Sequence, residues 1–131
     1  MLAVSIVFTG LLVWISAIVQ HVTNVKLRGA SYAMSDRSKA MSDEGFLGRA
    51  GRTLRNNMES SLMYVPIALV AEISHARTSI ATWSAVAYIA ARAIFTISYW
   101  WNINPLRSYA WSVGMLAVVA IAADTLLALP K

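Results

Sequence analysis

Between Arg49 and Glu59 the sequence reads RAGRTLRNNME, and Arg52, Arg55, Asn56 and Glu59 stand at offsets of zero, three, four and seven. On a helix those offsets share one face. Arginine stays ionised and grips a carboxylate through two parallel hydrogen bonds. Glu59 supplies the opposite sign, suited to an ammonium group. The run SSLMYVPIALVA follows directly. The charged face therefore stands at the mouth of a membrane-going helix, where it is costly unless partners or a polar ligand satisfy it.

Composition decides what kind of chain carries this face. Of 131 residues, 58% are hydrophobic and none is cysteine. A single domain over residues 1–131 is expected, with more apolar sequence than a water-soluble core needs. Without cysteine there is no disulfide, thiolate metal site, CxxC redox pair or cysteine nucleophile. His21 and His75 are the only histidines, and neither lies in an HxxxH or HxxE spacing, so no metal site is expected. The net charge of +5 is unevenly placed, with seven of the eleven Lys/Arg residues between Lys26 and Arg55. A basic stretch beside long uncharged segments is the pattern of a cytoplasmic loop in a membrane protein. It argues against nucleic-acid binding, for which no recognised fold is present.

Four segments can be read as membrane spans. The first, about residues 2–24, carries no charge from Leu2 to Val22. It is long enough to cross a bilayer and lacks the basic leader and cleavage pattern of a signal peptide. A polar connection over about 25–45 follows. Ser42, Asp43 and Glu44 are placed there to cap the next helix, and Gly45, Gly48 and Gly51 are spaced for close helix approach. The second helix spans about 46–74, with a kink expected at Pro66. The third spans about 79–101, opened by Thr78 or Ser79 and closed by the aromatic belt Tyr99–Trp101. The fourth spans about 106–129. Short connections make consecutive helices antiparallel neighbours, giving an all-α integral membrane four-helix bundle. The basic first loop then lies in the cytoplasm and both termini on the opposite side. Glu72 and Asp124 fall toward that far side, where exposure at the interface is expected.

This topology collects ionisable residues of all four helices at one end. Lys26 closes the first helix, Arg52–Glu59 opens the second, and Arg107 opens the fourth. Arg92 lies seven residues inside Tyr99, about 10 Å at the helical rise, and Arg92, Phe95 and Tyr99 share a face. A lone mid-span arginine rarely faces lipid, so Arg92 should have a buried partner. Five cations (Lys26, Arg52, Arg55, Arg92, Arg107) then meet one carboxylate, Glu59. An anionic ligand with an amino group satisfies both signs, and glutathione has that character. Arg107 could stabilise its thiolate, with a hydrogen bond from Ser108. The plainer reading seats Arg49, Arg52 and Arg107 among lipid phosphates and pairs Arg55 with Glu59 on the helix surface.

Taken in order, Arg49-x-x-Arg52-x-x-Arg55-Asn56-x-x-Glu59, Ala91-Arg92-x-x-Phe95-x-x-x-Tyr99 and Pro105-Leu106-Arg107-Ser108 resemble the MAPEG family, the membrane-associated proteins in eicosanoid and glutathione metabolism. The likeness covers essentially the whole chain. It implies a homotrimer of four-helix subunits, with glutathione as co-substrate held in a U shape between neighbours. By position it assigns glutathione binding to Lys26, Arg52, Arg55, Asn56, Glu59, Arg92 and Tyr99, and thiol activation to Arg107 and Ser108. Phe95 stands where relatives have His or Tyr, and Trp111 where they have Tyr, which removes imidazole or hydroxyl groups near the ligand. The short loops resemble bacterial members, implying an inner-membrane location. The function implied is a transferase, with peroxidase activity also open, joining glutathione to hydrophobic electrophiles that enter from lipid. The alternative is a non-catalytic lipid-binding scaffold or an accessory subunit of a membrane complex. No broken-helix pair or inverted repeat supports a transporter.

Overall fold

The computed structural model describes residues 1–36, 44–75 and 78–129. Among them lie five helices and no strand: α1 (Leu2–Arg28), α2 (Ala30–Met34), α3 (Gly45–Ile73), α4 (Ser79–Trp100) and α5 (Asn104–Ala128). Three of these, α1, α4 and α5, are long and apolar enough to cross a membrane. The longest, α3, has 29 residues. Arg49, Arg52, Arg55 and Glu59 dilute its first half, and its apolar character begins only at Ser60.

Two boundaries differ from the sequence-based expectation. The first helix continues through Arg28, and the expected polar connection holds the short α2. Nothing in Val25–Arg28 breaks a helix, and Lys26 and Arg28 in the last turn complement the negative end of its dipole. Termination waits for Gly29, whose φ of 86° suits a residue without Cβ and whose N–H bonds the Val25 carbonyl. Of the expected cap on α3, Ser42 and Asp43 lie outside the described residues. Glu44 is the N-cap but makes no side-chain cap bond. At the start of α4 the cap is formed, the Ala81 N–H donating to Thr78 Oγ1 at 3.0 Å. Pro66 sits inside α3, which continues on both sides of it.

The bundle is arranged for lipid, with polar groups turned inward. The buried residues of α1 are Leu2, Ser5, Thr9, Ser16 and Asn24, whereas Val4, Val7, Leu11 and Trp14 are exposed. In hydrocarbon, apolar side chains lose nothing by facing out, and small or hydroxylated ones allow close approach and interhelical hydrogen bonds. Those bonds set the register. Ser5 Oγ donates to the Leu2 carbonyl and is hydrogen-bonded to the Tyr64 hydroxyl at 2.5 Å. Tyr64 stacks on Tyr88, ring centres 3.7 Å apart, and the Tyr88 hydroxyl lies 2.9 Å from Ser60 Oγ. Asn57 donates to Ser16 at 2.8 Å and to Thr96 at 3.0 Å. Together these contacts run α1 and α4 antiparallel to α3. They place the start of α3 beside the end of α4, where the arginines are.

At the opposite end, Asp124 departs from the exposure expected of it. It is half-buried, and its carboxylate accepts the Thr78 hydroxyl proton at 2.5 Å. Thr78 thus caps α4 with its oxygen and ties that cap to α5 with its proton. Thr78→Ala removes both bonds and is expected to cost about 1–2 kcal/mol, seen as a lower unfolding temperature in detergent. Adding Asp124→Ala should then cost less than it does alone, because the two side chains share one bond.

Candidate functional site

The charged end of the bundle is built around Arg92. Its side chain, on α4, is 1% exposed, and a guanidinium buried that deeply needs hydrogen-bond partners. Its Nη2 donates to Asn56 Oδ1 at 3.0 Å and also to Asn57 Oδ1. The guanidinium carbon lies 4.4 Å from the centre of the Phe95 ring, close enough for the negative ring face to stabilise the cation. Arg92 Nη1 is buried without a partner among the described residues. The expected buried partner of Arg92 is therefore a pair of amides and a ring face. Asn57 uses both ends of its amide, accepting from Arg92 and donating to Ser16 and Thr96. It joins α1, α3 and α4 at one point.

Two grooves flank this hub. The first, about 320 Å³, lies where α3, α4 and α5 meet, and is lined by Asn56, Phe95, Tyr99, Arg107, Ser108, Trp111 and Ser112. Arg107 is half-buried, its guanidinium 4.6 Å from the centre of the Tyr99 ring. Tyr99 in turn meets Phe95 edge to face at 5.4 Å. Arg92, Phe95, Tyr99 and Arg107 therefore pack in series, a cation at each end of two rings. Asn56 gives its oxygen to Arg92, which leaves its amide N–H groups for the groove. Ser108 donates to the Asn104 carbonyl at 3.3 Å, a long bond. Ser112 donates to the Ser108 carbonyl at 3.1 Å.

The second groove, about 700 Å³, runs between α1 and α3 and includes Gln20, Gly48, Gly51, Arg52, Arg55, Met58 and Glu59 in its lining. Arg52, Arg55 and Glu59 are exposed there. Space around Gly51 is open, with no other residue within 4 Å of where a methyl group would stand. Within one chain, Gly51 is not used for close helix packing.

The structure thus distributes the site residues expected to converge. Asn56, Tyr99, Arg107 and Ser108 come together in the first groove. Arg52, Arg55 and Glu59 line the second. Arg92 lies beneath the first, reaching it through Asn56 and Phe95. Lys26 is exposed in the last turn of α1 and lines neither groove. Among the described residues α1 makes no packing contact with α5. The reason is angular. Offsets of zero, three, four and seven spread over about 100° of a helix, wide enough to straddle the ridge between two grooves.

Asn57, Ser16, Gln20 and Ser112 were not among the expected site residues. Asn57 carried one signal, an amide beside Asn56 on the inward side of the charged face. Ser16 carried another, standing with Ser5 and Thr9 as a polar stripe in an otherwise apolar span. Among the described residues no group of three or more His, Cys, Asp or Glu side chains could hold a metal ion.

A sequence model of the MAPEG family matches residues 1–127. No curated protein and no solved structure matches the chain.

The hub makes a ranking prediction. Asn57→Leu leaves Arg92, Ser16 and Thr96 short of partners and should cost about 2–3 kcal/mol. Asn56→Ala, at the rim of the same network, should cost no more than about half of that. Thermal unfolding of the two variants in one detergent checks the order.

Proposed function

This chain belongs to the MAPEG family, and from that we propose that it is a glutathione-dependent membrane transferase. Family and apolar helices together make it an integral membrane protein. In this reading α3 crosses the bilayer alongside α1 as a fourth span. The basic end faces the cytoplasm and three copies form the working unit.

The observation that carries the reading is the first groove. It offers a fixed cation at Arg107, an adjacent hydroxyl at Ser108, and the amide N–H groups of Asn56, beside the apolar faces of Phe95 and Trp111. Arg107 is restrained by its contact with Tyr99, so less freedom is lost when a ligand binds. A thiol seated beside such a cation loses its proton more readily, since the positive charge favours the thiolate. Its sulfur then attacks an electrophilic carbon that arrives from lipid along the apolar wall. A carbon–sulfur bond forms, and the leaving group departs with the bonding electron pair. In an addition to a double bond no group leaves; the acceptor's π pair shifts away from the attacked carbon and takes a proton from water.

Glutathione's carboxylates suit Arg52 and Arg55, and its ammonium suits Glu59. These side chains are exposed in a single chain, where ion pairs contribute little. A neighbouring copy covering the α3 face would exclude water and strengthen them. Lys26 supports the same arrangement. Since α1 does not contact α5 within a chain, this reading takes the Lys26 and the Arg107 of one site from different copies. Arg92 acts through Asn56, holding the amide so that its N–H groups face the ligand. A second reading, a non-catalytic lipid-binding member, is favoured by the hydrocarbon of Phe95 and Trp111 where a polar group would aid chemistry.

Glutathione titrated into the purified protein should bind saturably and raise the ultraviolet absorbance of a thiolate. Arg107→Ala should retain binding while the pH midpoint of thiolate formation rises by roughly one unit or more. Arg55→Ala should weaken binding about tenfold and leave the midpoint of the bound thiol in place. If the wild type neither binds glutathione nor conjugates it to a broad panel of electrophiles, the lipid-binding reading replaces this one.

A further inference from the structure

A second polar feature lies at the same end of the bundle and belongs to neither groove. Phe46, Trp100 and Trp101 line a cavity of about 270 Å³ between the first turn of α3 and the last turn of α4. Arg49 borders it. Its Nε donates to the Trp100 carbonyl at 3.2 Å, and its guanidinium carbon lies 5.8 Å from the centre of the Phe46 ring. A carbonyl at a helix C-terminus has no partner within its own helix, so this bond satisfies α4 and also fixes the arginine. With Nε engaged, the two terminal nitrogens remain for a ligand, and in arginine they form a planar fork that matches two oxygens of one anion.

Three further observations define the ligand. Trp100, whose carbonyl holds Arg49, has its indole Nε1 buried without a hydrogen-bond partner among the described residues. The cavity also sits at the start of α3, where the Gly48 N–H bonds the Glu44 carbonyl at 3.3 Å. The N–H groups of Gly45, Phe46 and Leu47 stand at the positive end of that helix. Finally, Trp101 is 69% exposed and Phe46 38% exposed. These rings lie where the apolar span of α4 ends, the depth at which tryptophan meets lipid headgroups. The fixed guanidinium fork, set near the positive end of α3, calls for an anion with several oxygens, and the exposed rings call for hydrocarbon attached to it.

We propose that Arg49, Trp100, Trp101 and Phe46 form a binding site for the phosphate headgroup of one membrane phospholipid. The phosphodiester sits on the Arg49 fork, and the glycerol and upper acyl carbons lie against Trp101 and Phe46. The site is separate from the glutathione reading: Arg49 lines neither groove, and loss of one need not affect the other.

Native mass spectrometry of the detergent-purified protein tests this, with phosphatidylethanolamine, phosphatidylglycerol, diacylglycerol and inorganic phosphate added in turn. One phospholipid per chain should survive delipidation in the wild type, and Arg49→Gln should lower its retention at least tenfold. Arg49→Lys, which keeps the charge without the fork, should fall between them. Arg52→Gln, on the other groove, should retain lipid as the wild type does. Diacylglycerol should not be held, because it lacks the phosphate, and inorganic phosphate should not compete, because it lacks the hydrocarbon. Equal retention by Arg49→Gln and wild type overturns the proposal, as does equal retention of diacylglycerol. Displacement by inorganic phosphate would make this a soluble-anion site and overturn the lipid assignment. Should Arg49→Gln fail to fold, Trp101→Ala removes a largely exposed ring from the same cavity and must also lower retention.

Discussion

A guanidinium buried inside a helical bundle is the constraint on which this structure turns. Arg92 is held by two amide oxygens and one aromatic face, and each partner has a second task. Asn57 continues into α1 and α4 through Ser16 and Thr96, fixing how the helices stand. Asn56 and Phe95 form part of the groove wall. Because burying an unpaired charge is far more costly than burying a bonded one, this hub locks the bundle's register and the groove's shape together. A substitution at Asn57 would therefore disturb the groove without touching any ligand in it.

The hub works because the surrounding bundle is suited to lipid. Most hydrophobic residues on α1 face outward while Ser5, Thr9 and Ser16 face inward, so helices associate through hydroxyl bonds and close contacts. The Ser5–Tyr64, Ser60–Tyr88 and Asn57–Ser16 bonds all involve α3, which carries the charges. Its polar first half is accommodated because the inward side is bonded and the outward side faces grooves at the membrane end. The charged ridge left over, from Arg52 to Glu59, is unfinished in one chain. The proposed neighbouring copy would complete it.

Much of this is legible in the sequence where the physics is local. Charge-free length identifies α1, and Thr78 before an apolar run identifies its cap on α4. The offsets of Arg52, Arg55, Asn56 and Glu59 identify a helix face. The offsets do not tell which neighbours border that face, so a single expected cluster becomes two grooves separated by the ridge of α3. Lys26 falls outside both, exposed in the last turn of a helix that runs on to Gly29. The bonds of Asn57 and Asp124 are not legible in the sequence for a shared reason. Their roles depend on Arg92 and Thr78, each more than 30 residues away in sequence, and no periodicity within one helix reports such a pairing.

The claim on which most rests is that one ligand site draws Lys26 and Arg107 from different copies of the chain. Co-expression of Lys26→Ala and Arg107→Ala chains, each with its own affinity tag, allows mixed oligomers to be isolated through both tags. In a cyclic trimer of mixed chains about one site in three regains both side chains, whichever way the ring runs. The account predicts that these oligomers form glutathione thiolate at a level above both parents, in roughly that proportion. Mixed oligomers no better than the average of the two parents, or a Lys26→Ala protein indistinguishable from wild type, would contradict it.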